Sequence, residues 1–407
     1  MKKITLFAIA FMVAMTGCKK EPKPNDNPRA DIQLTNTERQ LVSDNNDFAF
    51  NLFRTAQNDG SQIISPLSIT YALGMLNNGA TGQTQQEINT VLGFGDTDAD
   101  AINDFCKKML AEAPTLDKMT KVMIANTIFV NSGQGYELKP SFVEKANTYY
   151  DAKPESRDFK DGRTLDVINQ WASDHTEQMI KKALEENEFA PEAVSYLLNA
   201  IYFKGEWSMK FNKIETQNEP FNNGEKVPMM HQECELSYAN NDTYQSLCLP
   251  YGNGAYYMTV MLPHEGKTTD DILSQMNGQT WNENFNQMYT YRVDVKLPRF
   301  ETNTNLNLKS IMSTLGMPTP FDPNQAQFDE FCNVPTYIEM MKQVAKIKLD
   351  EEGTEAAAVT VVGMLETSAG EEPELPYAIF HADRTFLYTI SEKSTGAIFF
   401  IGKYTGK

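Results

Sequence analysis

The residues equipped for nucleophilic or acid–base chemistry are few and scattered. Four histidines, His175, His231, His264 and His381, lie far apart in the chain. A Ser/His/Asp site is assembled in space, so a missing local motif does not exclude one. There is nevertheless no G-x-S-x-G elbow, no H-E-x-x-H and no Gly-rich phosphate loop. Each histidine therefore reads as a surface or internally satisfied residue. Glu185-Glu186 and Glu371-Glu372 read as solvated charge rather than an acid/base dyad. Cys106, Cys234, Cys248 and Cys332 match no metal or redox spacing and are expected as buried free thiols. Cys234 and Cys248, on successive strand-like runs, are the one pair for which a disulfide stays open. No enzyme activity, metal or cofactor is expected.

The fifth cysteine, Cys18, carries a different chemistry. Lys2-Lys3 and the apolar residues 4–15 form a signal-like leader. That run is too short for the ~20 residues that span a bilayer as a helix. Met15-Thr16-Gly17-Cys18 resembles a bacterial lipoprotein signal, in which Cys18 is lipidated and becomes the new N-terminus. Ordinary cleavage near Ala14 is the alternative. Residues 18–31 hold Pro22, Pro24 and Pro28 without an apolar run and read as a flexible tether. The reading is a signal peptide at 1–17, a tether at 18–31 and one domain over 32–407, exported and lipid-anchored in a bacterial cell envelope. The lipid would be the sole membrane contact, on the periplasmic or the outer side.

Composition narrows the partners. The 407 residues are 41% hydrophobic and 11% aromatic, enough for a sizeable core. The net charge is −18, and removing the leader with Lys2 and Lys3 makes it more negative. Such a surface repels phosphate backbones, so nucleic acid and heparin-like polyanions are not expected. No fixed-period repeat points to a solenoid. The 20 methionines read as core gap fillers.

The elements alternate, helices early and strands late, which gives an α+β class. Helical spacing predicts helices over 35–58, 84–92, 141–150, 165–185 and 306–315, and one opening at Ser65-Pro66 with Ile69, Leu73 and Leu76 on one face. Continuous β-rich runs predict buried strands over 121–131 and 195–203. Successive strands are expected across 226–300 and again over 379–404.

One segment departs from its surroundings. Residues 350–370 read DEEGTEAAAVTVVGMLETSAG. Glu and Ala favour a helix, but Thr360-Val361-Val362 is β-branched and Gly363 breaks one. As a strand the segment splits cleanly. Thr354, Ala356, Ala358, Thr360, Val362 and Met364 form one uncharged face, small at its leading end. Glu355, Ala357, Val359, Val361, Gly363 and Leu365 form the other. The uncharged face suits entry between two existing strands, where bulk or charge would be rejected. Taken alone, the segment reads first as a flexible Ala/Gly-rich surface loop.

At this point the chain resembles the serpins. Glu351-Glu352-Gly353-Thr354-Glu355-Ala356-Ala357-Ala358 is similar to the hinge of an inhibitory serpin's reactive loop. Family-like blocks run in order. They are Ile64-Ser65-Pro66-Leu67-Ser68, Ala125-Asn126-Thr127-Ile128-Phe129-Val130, and Asn199-Ala200-Ile201-Tyr202-Phe203-Lys204-Gly205 with Trp207. Leu249-Pro250-Tyr251, Leu297-Pro298-Arg299-Phe300 and Phe380-His381-Ala382-Asp383-Arg384 follow. The resemblance implies three β-sheets, eight or nine helices and an exposed reactive-centre loop.

It also implies a mechanism. A target protease attacks the loop and forms an acyl-enzyme. The cleaved loop inserts into the central sheet and distorts the trapped enzyme. Counting from the hinge glycine places the scissile bond at Thr367–Ser368, with Met364, Leu365 and Glu366 as alternatives, because the stretch from Gly353 to Phe386 is a few residues longer than usual. Thr367 suits elastase-like or subtilisin-like serine proteases. Met364 or Leu365 suits chymotrypsin-like or papain-like enzymes, and Glu366 a glutamyl endopeptidase. Residues 353–383 hold no Lys or Arg, which disfavours trypsin-like targets. A monomer is expected. The sheet-opening region implied by the resemblance comprises Ser65, Ser68, Asn199, Trp207 and Gln343, with Gln343 at the family's histidine position. The alternative function is a noninhibitory serpin acting as a binding or scaffold protein.

Overall fold

The computed structural model describes residues 26–354 and 374–406. Helix α1 (Asn36–Ala56) starts at a capping box. There the Thr35 side chain accepts from the Glu38 N–H and the Glu38 carboxylate accepts from the Thr35 N–H, pairing two otherwise orphaned donors. After β1 (Gln62–Ile64), Ser65 caps α2 (Pro66–Asn77), whose first turn holds the proline that suits it. Then come α3 (Gly82–Leu92), α4 (Ala99–Glu112), β2 (Thr120–Asn131), α5 (Pro140–Tyr150), β3 (Glu155–Arg157) and α6 (Thr164–Asp174).

The second half is strand-rich. It runs β4 (Ser195–Glu206), β5 (Gln217–Pro220), β6 (Lys226–Asn240), β7 (Tyr244–Tyr251) and β8 (Tyr256–Pro263). Two short helices, α7 (Thr269–Leu273) and α8 (Gly278–Asn286), precede β9 (Tyr289–Pro298) and β10 (Phe300–Asn307). Helix α9 (Lys309–Thr314), β11 (Met340–Asp350) and the two-residue β12 (Gly353–Thr354) follow. The chain closes with β13 (Tyr377–His381), β14 (Phe386–Glu392) and β15 (Ile398–Tyr404).

The strands form two hydrogen-bonded sheets among the described residues. One has nine strands in the order β1-β15-β14-β8-β7-β6-β9-β13, with β5 beside β6. The other has six in the order β10-β11-β12-β4-β2-β3. Three sheets were expected. The 15-residue β6 pairs with β9 along most of its length and with β7 at its far end, so two of them run together. Helix α2 is buried at every position and touches β15 of one sheet and β2 and β4 of the other. The main core lies around it.

Some boundaries differ from the sequence expectation. The helix expected over 165–185 stops at Asp174. Glu177 and Gln178 take positive φ, and Thr176 Oγ1 donates back to the Ala172 carbonyl. Residues 175–194 therefore return along the sheet face. Helices α7 and α8 interrupt the expected strand run, each started by a capping box, at Thr268 and Asn277. Helix α4 was not anticipated. Residues 306 and 307 belong to β10, and the helix begins at Lys309.

Part of the segment read as a tether touches the body. Asn27 Nδ2 donates to Asp117 Oδ1 at 2.6 Å, and the Lys118 N–H donates to Asn27 Oδ1 at 3.0 Å. Cys18 and residues 355–373 lie outside the described residues. So do the hinge calls Glu355, Ala356, Ala357 and Ala358 and the scissile-bond calls Met364, Leu365, Glu366, Thr367 and Ser368.

Candidate functional site

The site is the seam between β4 and β11 in the six-stranded sheet. Both strands are mostly buried. In its lower half the seam is closed. Met340–Ala345 pair in parallel with Tyr196–Ile201. At its upper end the hinge intervenes. Gly353 and Thr354 pair antiparallel with Asp350 and Leu349 of β11 on one side, and with Glu206 and Gly205 of β4 on the other. Between these zones, residues 346–348 and 202–204 pair with β10 and β2 but not with each other, among the described residues.

Two glycines allow this wedge. Gly353 has φ +148°, and a Cβ there would sit 2.1 Å from the Gly205 carbonyl oxygen. A Cβ on Gly205 would meet the Tyr251 ring at 2.8 Å. The backbones approach because neither residue has a side chain. Thr354 is fully buried, and its hydroxyl lies 2.7 Å from the Tyr251 hydroxyl. The uncharged face of the hinge thus starts on the core side of the sheet.

Charged and aromatic groups fix the turn that leads into β12. The Trp207 N–H donates to the Glu352 carbonyl at 2.8 Å, and Trp207 Nε1 donates to the Asp350 carbonyl at 2.9 Å. Its indole stacks on Tyr251, with centroids 4.5 Å apart and planes 12° apart. Glu351 is buried. It accepts from Thr216 Oγ1 at 2.7 Å and faces Arg299 at 3.5 Å. Glu352 pairs with Lys210 at 2.9 Å and Lys213 at 3.0 Å. Those two ammonium groups hold its carboxyl below the ordinary range despite partial burial.

Lower in the seam lies a buried amide network. Asn126, Asn199 and Gln343 are register partners on β2, β4 and β11. Gln343 Nε2 donates to Asn199 Oδ1 (2.6 Å), the Ser65 carbonyl (2.9 Å) and Ser68 Oγ (3.0 Å). Gln343 Oε1 accepts from the Ser65 N–H at 3.0 Å. Asn199 Nδ2 donates to Asn126 Oδ1 at 2.7 Å and to the Ser68 carbonyl at 3.1 Å. Ser68 Oγ donates to Asn199 Oδ1 at 2.7 Å, and Ser65 Oγ to the Phe399 carbonyl at 2.7 Å. A glutamine amide both donates and accepts, so it serves this position without a titrating ring. The network ties the two strands of the seam to the N-terminus of α2.

The whole-chain comparisons agree with this geometry. The sequence matches the Serpin (serine protease inhibitor) family over residues 43–406. This chain belongs to the serpin family. It is 29% identical to an uncharacterized serpin-like protein of Thermococcus kodakarensis, covering 99% of this chain and 98% of that protein. It is 30% identical to Iripin-2 of Ixodes ricinus, covering 90% and 93%. The native-state crystal structure of the thermophilic serpin tengpin superimposes with a TM-score of 0.82 at 27% identity, covering 94% of this chain and 97% of that one. Human thyroxine-binding globulin complexed with its hormone gives 0.81 at 26%, covering 90% and 98%. Serpins are not enzymes, and the α+β serpin architecture is present here.

The four histidines of this serpin are held by local hydrogen bonds. His175 Nδ1 lies 2.7 Å from the Trp171 carbonyl and His264 Nε2 2.7 Å from the Asn241 carbonyl. His231 and His381 both face Asp294, at 2.7 Å and 3.0 Å. Burial raises the Asp294 carboxyl, but the two imidazoles more than offset this and hold it below its ordinary value. Cys106, Cys234, Cys248 and Cys332 are free thiols. Cys248 pairs in register with Ser237, so Cys234, three positions along β6, points to the opposite face and no disulfide spans them. Burial pushes Cys106, Cys248 and Cys332 to about 12 and Cys234 to about 11, which keeps them protonated. Among the described residues no cluster of three or more His, Cys, Asp or Glu is placed to hold a metal, and no helix is long and apolar enough to cross a membrane.

Sequence reasoning gave no role to Tyr251, Lys210, Lys213 or Asn126. Tyr251 and Asn126 stand inside family-like blocks, so a signal for them existed. Lys210 and Lys213 lie in a polar stretch, and only the fold brings them to Glu352.

Proposed function

We propose that this serpin is a suicide-substrate inhibitor of serine proteases, with cysteine proteases as further targets. The carrying observation is the hinge itself. Gly353–Thr354 already occupies the position of a strand between β11 and β4, while the same two strands pair directly below it. The next inward positions of the sequence, Ala356, Ala358, Thr360, Val362 and Met364, continue an uncharged face. Cleavage of the loop would free this segment to extend the strand that the hinge has begun. Each added residue would gain hydrogen bonds on both sides. That free energy would drag the acyl-linked protease away from the loop's starting end.

The scissile bond assigned by this reading is Thr367–Ser368, with Met364, Leu365 and Glu366 as alternatives. A small uncharged Thr367 favours elastase-like or subtilisin-like enzymes. The acidic chain favours fast encounter with cationic proteases at low salt. We place the protein in a bacterial envelope, held by a lipid on Cys18.

A noninhibitory binding role is the second reading, and the likeness to thyroxine-binding globulin favours it. Cleaving the loop with a protease and heating the product separates the two. Insertion raises the unfolding temperature of the cleaved protein by tens of degrees, because a strand's worth of hydrogen bonds and burial is added. A noninhibitory member that keeps its loop outside gains nothing.

A further inference from the structure

We propose that the ion pair between Lys342 and Glu188 is a latch across the seam that sets how fast the sheet admits the loop. The inference rests on the loop-insertion reading. Lys342 is on β11, opposite Leu198 of β4, with a side chain only 2% exposed. It lies next to Gln343 in sequence and so on the other face of the sheet, the face covered by residues 175–194. Its Nζ donates to Glu188 Oε2.

Glu188 belongs to the β4 side of the seam. Its segment is bound to β2 and β4, where Asn131 Nδ2 donates to the Pro191 and Ala193 carbonyls and the Ala190 N–H donates to the Tyr196 hydroxyl at 2.7 Å. It is bound to α6 as well, where Asn169 bonds Ala183 and Leu184. Lys342 moves with β11. The pair therefore joins two bodies that must separate before a strand can enter.

Strand addition moves the flanking strands apart by about 4.8 Å. An ion pair made at hydrogen-bond distance does not survive that displacement. Opening the seam leaves a buried ammonium without its partner until water reaches it, and that cost falls on the transition state. The other polar links across this half of the seam, Gln343 to Asn199 and Ser195 Oγ to the Tyr337 carbonyl, are neutral.

The latch also has a pH signature. Burial works against the Glu188 carboxylate, but the Glu185 N–H and Lys342 hold it below the ordinary range. The charged groups around it are Lys342 on β11, Glu339 preceding β11, and Lys182 and Glu185 in its own segment, with the Tyr196 phenol from β4. The pair is intact at neutral pH and is lost as pH falls through the Glu188 titration.

The test is the rate at which the purified protein takes up a synthetic peptide with the sequence of residues 354–367, read by native gel shift. Glu188→Gln should speed uptake roughly tenfold, a magnitude set by a carboxylate 31% exposed facing a buried lysine. The native protein should speed up on acidification below the ordinary carboxylate range while Glu188→Gln loses that component. The charge-swapped variant E188K/K342E should return toward the native rate. Equal rates for the native protein and Glu188→Gln, with no difference in their pH profiles, would overturn the latch. Lack of uptake by both proteins would instead sink the insertion reading. Glu188→Gln alters only a partly exposed side chain, so the test does not depend on the lysine variant folding.

Discussion

The Tyr251 hydroxyl lies 2.7 Å from Thr354 Oγ1, and the same phenol ring is stacked on Trp207. Thr354 is the second residue of the wedge that parts β4 from β11. Trp207 meanwhile donates to both carbonyls of the turn before it, those of Asp350 and Glu352. One aromatic pair thus grips the hinge from the core side and from above. Tyr251→Phe removes a buried hydrogen bond and leaves the Thr354 hydroxyl unpaired. The expected loss of native stability is about 1–3 kcal/mol, seen as a lower urea midpoint with an unchanged slope. A midpoint equal to the native one would show that the contact contributes nothing.

Thr354 starts the uncharged face and is fully buried. Thr354→Arg puts a charged guanidinium at a fully buried position beside the Tyr251 hydroxyl. The variant should fold, lose the β12 pairing and be cut in its loop as an ordinary substrate. Gels of protease mixtures should show cleaved serpin without adduct. Retention of full inhibitory stoichiometry would contradict the assignment of this face.

Gln343 occupies a position that resemblance gives to histidine in relatives. An amide does not titrate, so seam opening should be flat between about pH 6 and 7. Gln343→His should introduce a slope in that window, measured as the rate of peptide uptake. A sharp pH step in the native protein would place a titrating group in the seam that the structure does not contain.

Glu352 makes its contribution through Lys210 and Lys213. Its carboxyl is held below the ordinary value in the folded protein. A group depressed on folding stabilises above its unfolded pKa, and the benefit disappears as pH falls through the folded pKa. The native protein should therefore lose part of its stability as pH drops below the ordinary carboxylate range. Glu352→Gln should start lower at neutral pH and fall less on acidification. Parallel curves would remove Glu352 from the acid response.

Much of this fold could be read from residue order. The capped start of α2 at Ser65-Pro66 and the buried strand beginning at Ser195 are local signals. They appear where local chemistry dictates. The end of α6 was not legible, because Thr176 turns back to Ala172 only once the return segment packs on the sheet. The fusion of sheets through β6 depends on strand pairing distant in sequence. Ser65, Ser68, Asn199 and Gln343 were nominated by resemblance, whereas their mutual bonds come from two separate strands and one helix cap meeting. The Lys342–Glu188 pair carries no sequence signal at all, since each residue alone reads as ordinary surface charge.

The central claim is covalent trapping, and the most direct measurement mixes the purified protein with an elastase, a subtilisin and a chymotrypsin-like protease. The products are read by denaturing gel and intact mass. The account predicts a denaturant-resistant adduct with at least one of them. It also predicts a released C-terminal fragment that begins at Ser368, or at the residue following Met364, Leu365 or Glu366. Loop cleavage by all three enzymes, at every ratio, with no adduct and no gain in thermal stability, would contradict it.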